Sequence, residues 1–135
     1  MNEKVYKNPS LAVDAVVLRD TKGYREILLI ERKNEPHGWA FPGGFVDYGE
    51  ATTAAVAREL EEETGLTTTR VRLLAVASDP DRDPRQHVVS VVYECEGISG
   101  TAIAADDAKD ARWFPLRQLP TMAFDHEKII KDNLL

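Results

Sequence analysis

The stretch GFVDYGEATTAAVARELEEETGL, residues 44–66, runs from a glycine-containing loop into a segment rich in Ala, Glu, Leu and Arg. Because these four residue types are good helix formers, the pattern predicts a helix from Glu50 to Thr64. Gly65 follows directly, and glycine is the usual residue just beyond a helix C-terminus. The preceding loop, WAFPGGFVDYGE at 39–50, contains glycines that favour sharp turns or close approach to a ligand.

Three carboxylates fall on one face of this predicted helix. At about 100° per residue, the side chains of Glu59, Glu62 and Glu63 share an arc of about 100°, whereas Glu61 points to solvent. A neighbouring arc, suited to packing on a sheet, consists of Thr53, Val56, Ala57 and Leu60. Carboxylates at these spacings repel one another, and a hard divalent cation would remove that penalty. The alternative is an ordinary solvated acidic face in which Arg58 is a local ion-pair partner.

Apolar runs bounded by turn residues predict strands on both sides of the helix. Five strands are expected, at 11–18, 25–32, 70–78, 87–95 and 111–115, and a second helix is expected at about 124–133. This order predicts an α/β fold, a sandwich of helices around a mixed sheet. The long loops on either side of the main helix are where a functional site would lie.

The composition limits the class of protein. With 135 residues the chain fits a single domain, 1–135, that can bury a core. Its apolar runs are too short for a membrane helix, and its net charge of −6 argues against nucleic acid as a partner. Cys95 is the only cysteine, which excludes an internal disulfide and a cysteine-based zinc site. A cytoplasmic setting is therefore expected.

Read from Gly44 onward, the quoted stretch resembles the Nudix box, G-x5-E-x7-R-E-U-x-E-E-x-G-U, in which U is a bulky aliphatic residue. Every fixed position is filled, by Gly44, Glu50, Arg58, Glu59, Leu60, Glu62, Glu63, Gly65 and Leu66. At background residue frequencies, such a match has odds on the order of one in ten million. The chain is thus similar to the Nudix hydrolase family, and the resemblance implies an α/β/α sandwich with a central mixed sheet.

The resemblance implies an enzyme that depends on Mg²⁺ or Mn²⁺. It gives four metal ligands: the backbone carbonyl of Gly43 and the carboxylates of Glu59, Glu62 and Glu63. Arg58 would orient these carboxylates by ion pairing, and Glu50 would support it from the start of the helix. In such an enzyme the cation supplies charge neutralisation and helps to position a water for in-line attack on a diphosphate.

A carboxylate must take the proton of the attacking water. The resemblance offers a helix glutamate, Glu62 or Glu63, or an acid on a later loop. Asp107 lies six residues before Trp113, a spacing similar to that of a family loop acid, and Asp106 is its rival. The alternative is that the two aspartates form only a polar turn, since turns favour aspartate.

The loop SDPDRDPR, at 78–85, resembles the corresponding loop of ADP-ribose pyrophosphatases within the family. Its arginines, Arg82 and Arg85, would grip a terminal ribose phosphate, because guanidinium groups suit phosphate oxygens. The alternative is that both arginines balance the three aspartates of the same loop.

Three further residues are candidates for contacts around the substrate. Gly44 would approach it closely, and Phe41 would stack on adenine or, alternatively, pack in the core. Asp14, inside an apolar strand, would contact a nucleoside hydroxyl or, as the alternative, lie on a solvated strand face or pair with a neighbour. His126 is expected to be a structural hydrogen-bonding residue.

These expectations make a small nucleotide the substrate. The main hypothesis is hydrolysis of the diphosphate of ADP-ribose to AMP and ribose 5-phosphate. A second is a pyrophosphohydrolase that acts on nucleoside triphosphates or another sugar nucleotide. A third is a sensing module that binds the nucleotide without cleaving it, although the complete box and the lack of room for a second domain argue against it. The family resemblance also suggests a homodimer.

Overall fold

The computed structural model describes residues 5–103 and 108–135. These residues contain eight strands and two helices. In chain order they are β1 (Ser10–Val16), β2 (Leu18–Thr21), β3 (Tyr24–Arg32), β4 (Trp39–Ala40), β5 (Gly43–Phe45), α1 (Thr52–Thr64), β6 (Arg70–Ala77), β7 (Val88–Glu96), β8 (Ala108–Pro115) and α2 (His126–Asn133). Neither helix within those two ranges is long and apolar enough to cross a membrane.

The strands form two four-stranded sheets. The first sheet has the order β5-β1-β7-β6. It is mixed, because β1 and β7 are parallel, whereas β1 and β5, and β6 and β7, are antiparallel. In the second sheet, β3 pairs antiparallel with β2, β4 and β8. The predicted mixed sheet is confirmed, and the antiparallel sheet is an addition that the strand patterns did not reveal.

The single strand predicted at 11–18 is wrong, because this segment contains two strands that belong to different sheets. β1 ends at Val16 and β2 begins at Leu18. Between them Val17 is fully buried, and its carbonyl accepts a hydrogen bond from the Leu28 N–H at 3.0 Å. The residues around the crossing are all apolar, so a hydrophobic run gives no sign that the chain changes sheets there.

The two helices pack on opposite faces of β1. Successive side chains of a strand point to opposite sides, so β1 contributes residues to both cores. Val13 shares one core with Leu60 of α1, and Val16 shares the other with Ile130 of α2. Asp14 lies on the same face of β1 as Val16, which directs its side chain toward the α2 side. This arrangement confirms the predicted α/β/α sandwich.

Helix α1 begins at Thr52 rather than at the predicted Glu50, and it ends where expected. Gly65 adopts a left-handed conformation with φ of 78°, and its N–H donates to the Glu61 carbonyl at 2.8 Å. The buried residues of the helix are Ala55, Val56, Leu60 and Thr64. Thr53 is exposed, so its predicted place in the buried stripe is wrong. Burial starts only at Ala55, so the beginning of the helix does not contribute to the core.

Candidate active site

A cavity of about 430 Å³ opens among the ends of β1 and β3, strand β5, α1 and the segment that leads into α2. Charged residues of both signs line it, including Asp14, Asp47 and Asp83, and two groups of them form its walls. The acidic wall is formed by Glu59 and Glu63 of α1, and the arginine wall is formed by Arg32, Arg82 and Arg85. Cavities of this size commonly hold small-molecule ligands.

Arg58 connects the carboxylates at the start and the middle of α1. Its Nε and Nη2 donate to the two carboxylate oxygens of Glu50, at 2.7 and 2.9 Å. Its Nη1 donates to Glu59 at 2.9 Å and to Glu62 at 3.1 Å. The structure thus brings Arg58 into contact with three of the acids with which the sequence associated it.

Glu50 is the anionic anchor of this group. Hydrogen bonds from Arg58, together with one from the Asp47 N–H at 3.0 Å, lower the pKa of Glu50 to about 2. The same contact with Glu50 raises the pKa of Arg58 further above its ordinary value. Both groups are therefore charged at every physiological pH, and they form a fixed frame beside the acidic wall.

Glu63 is the most unusual carboxylate of the site. Its Oε2 is buried and has no hydrogen-bond partner among the described residues. Burial, and then repulsion from Glu59, raises the pKa of Glu63 to about 8, although a hydrogen bond from the Gly43 backbone acts the other way. Burial likewise raises the pKa of Glu59. A buried carboxylate oxygen without a partner is costly, and a bound cation would satisfy it.

The carboxylates of the three predicted metal-binding glutamates do not converge on one point in this structure. Across residues 5–103 and 108–135, no three acidic, histidine or cysteine side chains form a cluster that could hold a metal ion. Arg58 holds one oxygen of Glu59 and one of Glu62, and the Glu62 side chain, 49% exposed, lies outside the cavity lining. Convergence of Glu59, Glu62 and Glu63 on a cation therefore stays a prediction.

At Gly43 the backbone leaves no room for a side chain, and at Gly44 a side chain would displace the carboxylate of Glu59. A Cβ on Gly43 would collide with the Val13 carbonyl oxygen and with the Asp14 side chain. A Cβ on Gly44 would lie 2.6 Å from the carboxylate of Glu59. The two glycines thus let β5 run directly against the acidic wall, and both line the cavity.

A buried polar network lies on the α2 side of the cavity. Ser90 donates to Asp14 Oδ2 at 2.5 Å, and His126 Nε2 lies 3.5 Å from the same oxygen. His126 Nδ1 accepts a hydrogen bond from the Phe41 N–H at 3.1 Å, which assigns the ring proton to Nε2. Asp14 pairs with its neighbours, as the alternative interpretation expected, and His126 has the structural hydrogen bonds that the sequence predicted.

Phe41 belongs to the core. Its side chain is 2% exposed, and its ring stacks on that of His126 with a centroid separation of 4.2 Å. Although Phe41 contributes to the cavity lining, one of its faces is already covered. The structure therefore favours the core alternative over stacking on adenine.

The two predicted phosphate-binding arginines have different surroundings. Arg82, with only 3% of its side chain exposed, donates from Nε and Nη2 to the carboxylate of Asp125 at 2.8–3.1 Å. This partner lies outside the loop, so Arg82 does more than balance the aspartates of its own loop. Arg85 is 42% exposed and makes a two-pronged ion pair with Asp83 of its own loop, at 2.8 and 3.0 Å. The local-balance alternative thus fits Arg85.

Some candidate residues fall beyond these observations, and others were missed. Asp106 and Asp107 lie outside the described residues. Arg32 and Phe124 line the cavity but were not singled out from the sequence. A charge directly after the buried run of β3 was an available signal for Arg32. Phe124 gave none, because its positive φ of 56° cannot be foreseen for a phenylalanine.

A cavity that combines buried carboxylates with arginines is typical of sites for phosphorylated ligands that bind together with a divalent cation. A model of the NUDIX domain matches residues 8–132 of this chain, and the chain belongs to the Nudix family.

Three similar proteins, two curated and one of known structure, are all named in connection with ADP-ribose. The ADP-ribose pyrophosphatase of Methanocaldococcus jannaschii is 52% identical over 133 residues, which cover 97% of this chain and 76% of that protein. The ADPR responsive transcriptional repressor NtrR of Acinetobacter baylyi is 31% identical over 93% of this chain, which spans 53% of the repressor. The NUDIX domain of Shewanella oneidensis NrtR, solved in complex with ADP ribose, is 31% identical with a TM-score of 0.82, over 93% of this chain and 86% of that one.

Proposed function

We propose that this Nudix pyrophosphohydrolase hydrolyses ADP-ribose to AMP and ribose 5-phosphate and requires Mg²⁺ or Mn²⁺. The observation that carries the proposal is the buried Oε2 of Glu63, which has no hydrogen-bond partner among the described residues and lies beside Glu59 in the cavity wall. The 52% identity to a protein named ADP-ribose pyrophosphatase supports the choice of substrate.

The proposed metal ligands are Glu59, Glu62, Glu63 and the Gly43 carbonyl. Their oxygens suit hard cations. The Glu63 Oε2 atom, which has no hydrogen-bond partner among the described residues, is able to bind a cation. When bound, the cation supplies neutralisation of the diphosphate charge and lowers the pKa of a coordinated water. Arg58 then serves as the positioning residue, because its ion pairs to Glu50 and Glu59 fix the helix carboxylates.

In the proposed reaction, a water oxygen bonds to one phosphorus and the bond from that phosphorus to the bridging oxygen breaks. The bridging oxygen leaves with the other phosphate, and the proton of the water passes to a carboxylate. The candidates for this base are Glu62, Glu63 and Asp107.

On the substrate side, Gly44 and Arg85 are the proposed direct contacts. Gly44 leaves room beside Glu59, and Arg85 keeps Nη1 without a hydrogen bond to any described residue. Arg82 is buried and committed to Asp125, so its proposed contribution to substrate binding is to hold the 78–85 loop against the start of α2.

A substrate panel in the presence of Mg²⁺ tests this proposal. ADP-ribose should give AMP and ribose 5-phosphate, and the reaction should stop when EDTA removes the cation. Hydrolysis in ¹⁸O-labelled water identifies the attacked phosphorus, because only one product carries the label. Turnover of nucleoside triphosphates or of another sugar nucleotide, with ADP-ribose untouched, would reject the proposed substrate and favour the second hypothesis.

A second candidate function is ligand sensing without cleavage. The similarity to the Acinetobacter baylyi repressor favours it, since that protein is named for its response to ADPR. Calorimetric titration distinguishes the two functions: a sensor would show saturable binding of intact ADP-ribose with Mg²⁺ present, whereas the proposed enzyme consumes it during the titration.

The proposed partners are the small nucleotide and a second copy of the chain. The homodimer rests on the family resemblance, and the exclusion of nucleic acid rests on the net charge of −6. Sedimentation equilibrium tests the first, and a DNA-binding assay at low salt tests the second.

A further inference from the structure

Asp14 has one carboxylate oxygen that the protein uses and one that it leaves open. Oδ2 accepts the hydrogen bond from Ser90 and lies 3.5 Å from His126 Nε2. Oδ1 makes no hydrogen bond to any described residue. It is not fully buried either, because Glu63 Oε2 is the one side-chain atom of the described residues that is both buried and without a partner. Since Asp14 lines the cavity, its open oxygen faces the cavity space.

The position of this open oxygen is fixed by the residues around Asp14. Ser90 and His126, which hold Oδ2, are 0% and 2% exposed. On the other side, the register pairs Asp14 with Gly43 of β5, and a Cβ added to Gly43 would collide with Oδ1 itself. A carboxylate that is oriented before a ligand arrives loses little conformational entropy when it binds one.

Apolar groups line the cavity together with Asp14. Ala12 lies two residues away on the same face of β1, and Ala40 and Phe41 add further carbon surface. An acceptor beside carbon surface suits the sugar or base of a nucleotide, which combines carbon faces with hydroxyl and amino donors. It does not suit a phosphate group, because a carboxylate repels phosphate oxygens.

We propose that Asp14 Oδ1 accepts a hydrogen bond from an uncharged donor of the substrate, a hydroxyl or amino group of its nucleoside or ribose part, and thereby selects ligands that carry this donor. The inference rests on the proposed function, because it concerns the same cavity and the same nucleotide. Asp14 is a binding residue, and Ser90, which acts only through Asp14, is a positioning residue. A ligand that lacks the donor leaves a buried carboxylate oxygen without a partner, and this is the physical cause of the selection.

Binding of products and their analogues tests the proposal without turnover. AMP, ribose 5-phosphate and three AMP analogues, which lack the 2′-hydroxyl, the 3′-hydroxyl or the 6-amino group, are titrated by calorimetry with Mg²⁺ present. A hydrogen bond to a charged acceptor is worth roughly tenfold to a hundredfold in affinity, so the wild type should bind the analogue without the contacting donor more weakly than AMP by that factor. The analogue that shows the loss identifies the donor.

The D14N variant assigns this loss to Asp14. Because Ser90 and His126 point their protons at the Oδ2 position, the carbonyl oxygen of the new amide takes that position and its NH₂ group faces the cavity, where it replaces an acceptor by a donor. D14N should bind AMP roughly tenfold to a hundredfold more weakly. The analogue without the contacting donor should bind to D14N about as well as to the wild type. D14S, which also removes the acceptor, serves if D14N does not fold.

The matched control is D20N. Asp20 also lies in a strand, but its side chain is 80% exposed and outside the cavity lining. D20N should bind every probe as the wild type does.

The role of Ser90 is tested by S90A, which leaves the carboxylate in place and removes a group that orients it. S90A should weaken binding of AMP severalfold and leave binding of the analogue without the contacting donor unchanged. Equal losses for the two ligands would show that Ser90 supports only the fold, and would overturn the positioning role.

Two results would overturn the role of Asp14 itself. One is equal affinity of D14N and the wild type for AMP and for ribose 5-phosphate. The other is a loss of AMP affinity in D14N that is the same for all three analogues, because no donor would then be involved. A loss confined to ribose 5-phosphate would instead place the donor on the other ribose and support the proposal.

The same titrations separate this inference from the proposed function. If the wild type does not cleave ADP-ribose but D14N shows the loss that depends on the donor, the proposed substrate fails and the role of Asp14 stands. Cleavage of ADP-ribose without that loss gives the reverse.

Discussion

The two walls of the cavity are built in different ways. The acidic wall comes from one helix, so the spacing of Glu59 and Glu63 along the chain already determines that they lie on one face. The arginine wall is assembled from β3, the loop before β7 and the segment before α2, so its residues lie far apart in sequence. The grouping of carboxylates along one helix was therefore predictable, whereas the position of Arg32 beside Arg82 and Arg85 was not.

The walls also differ in how their charges are balanced. On the acidic wall, the Oε2 atom of Glu63 has no hydrogen-bond partner among the described residues, and the pKa of Glu63 is raised. Both properties are expected of a carboxylate that binds a cation. On the arginine wall, Arg82 is fully paired with Asp125, whereas Arg32 has no carboxylate partner among the described residues. Each wall thus combines a fixed ion pair with one group left for a ligand of opposite charge.

The largest expected effect is on the acidic wall. Substitution E63Q keeps the shape of the side chain and removes its charge. Loss of residues that merely orient a metal ligand costs about 10–100-fold, so loss of a ligand should lower kcat/KM for ADP-ribose by more than about a hundredfold. The control is E61Q, since Glu61 is exposed and lies outside the cavity lining. If both variants hydrolyse ADP-ribose at the wild-type rate, Glu63 is not a ligand.

The next largest effect is on the unfolding free energy of two variants, each with one arginine of the same loop replaced. R82Q leaves the partly buried Asp125 without its partner, and breaking such a pair costs about 3–5 kcal/mol of unfolding free energy. R85Q breaks a pair whose arginine is 42% exposed, so about 0–1 kcal/mol is expected. Urea unfolding measures both. A cost for R85Q as large as that for R82Q would show that the fixed pair on this wall is wrongly assigned.

The third effect is a pH dependence of stability that belongs to Glu63. Its pKa is about 8 in the folded chain, well above the ordinary value of 4.5 that applies in the unfolded chain. Between these values the folded protein holds a proton that the unfolded chain does not, so stability is full below about pH 4.5 and falls as the pH rises through 8. In EDTA, the wild type should lose about 2–4 kcal/mol more than E63Q between pH 5 and pH 8.5. Parallel profiles for the two proteins would contradict the raised pKa.

Much of the fold could be predicted because its signals are local. The periodicity of α1 and the stop at Gly65 defined the main helix, and short apolar runs defined the main strands. The crossing at Val17 was missed, because an apolar residue looks the same in either sheet. The exposure of Thr53 was missed as well, since a helical angle does not say where along the helix the core begins.

The same limit separates the site residues. Glu59 and Glu63 were predicted from their spacing in one motif, and Gly43 was predicted from the loop directly before it; all three line the cavity. The partner of Arg82 was missed because Asp125 is 43 residues away. The place of Phe124 was missed because its backbone has a positive φ of 56°. The single domain at 1–135 and the cytoplasmic setting stay predictions that rest on length and on a single cysteine.

A crystal structure of the protein with Mg²⁺ and AMP tests the central claim most directly. The account predicts Mg²⁺ within about 2.1 Å of carboxylate oxygens of Glu59, Glu62 and Glu63, with Glu62 drawn away from Arg58 toward the cavity. It also predicts that the AMP phosphate lies between the cation and Arg32. A nucleotide bound in the cavity with no cation at these glutamates, and with Glu62 still on Arg58, would contradict it.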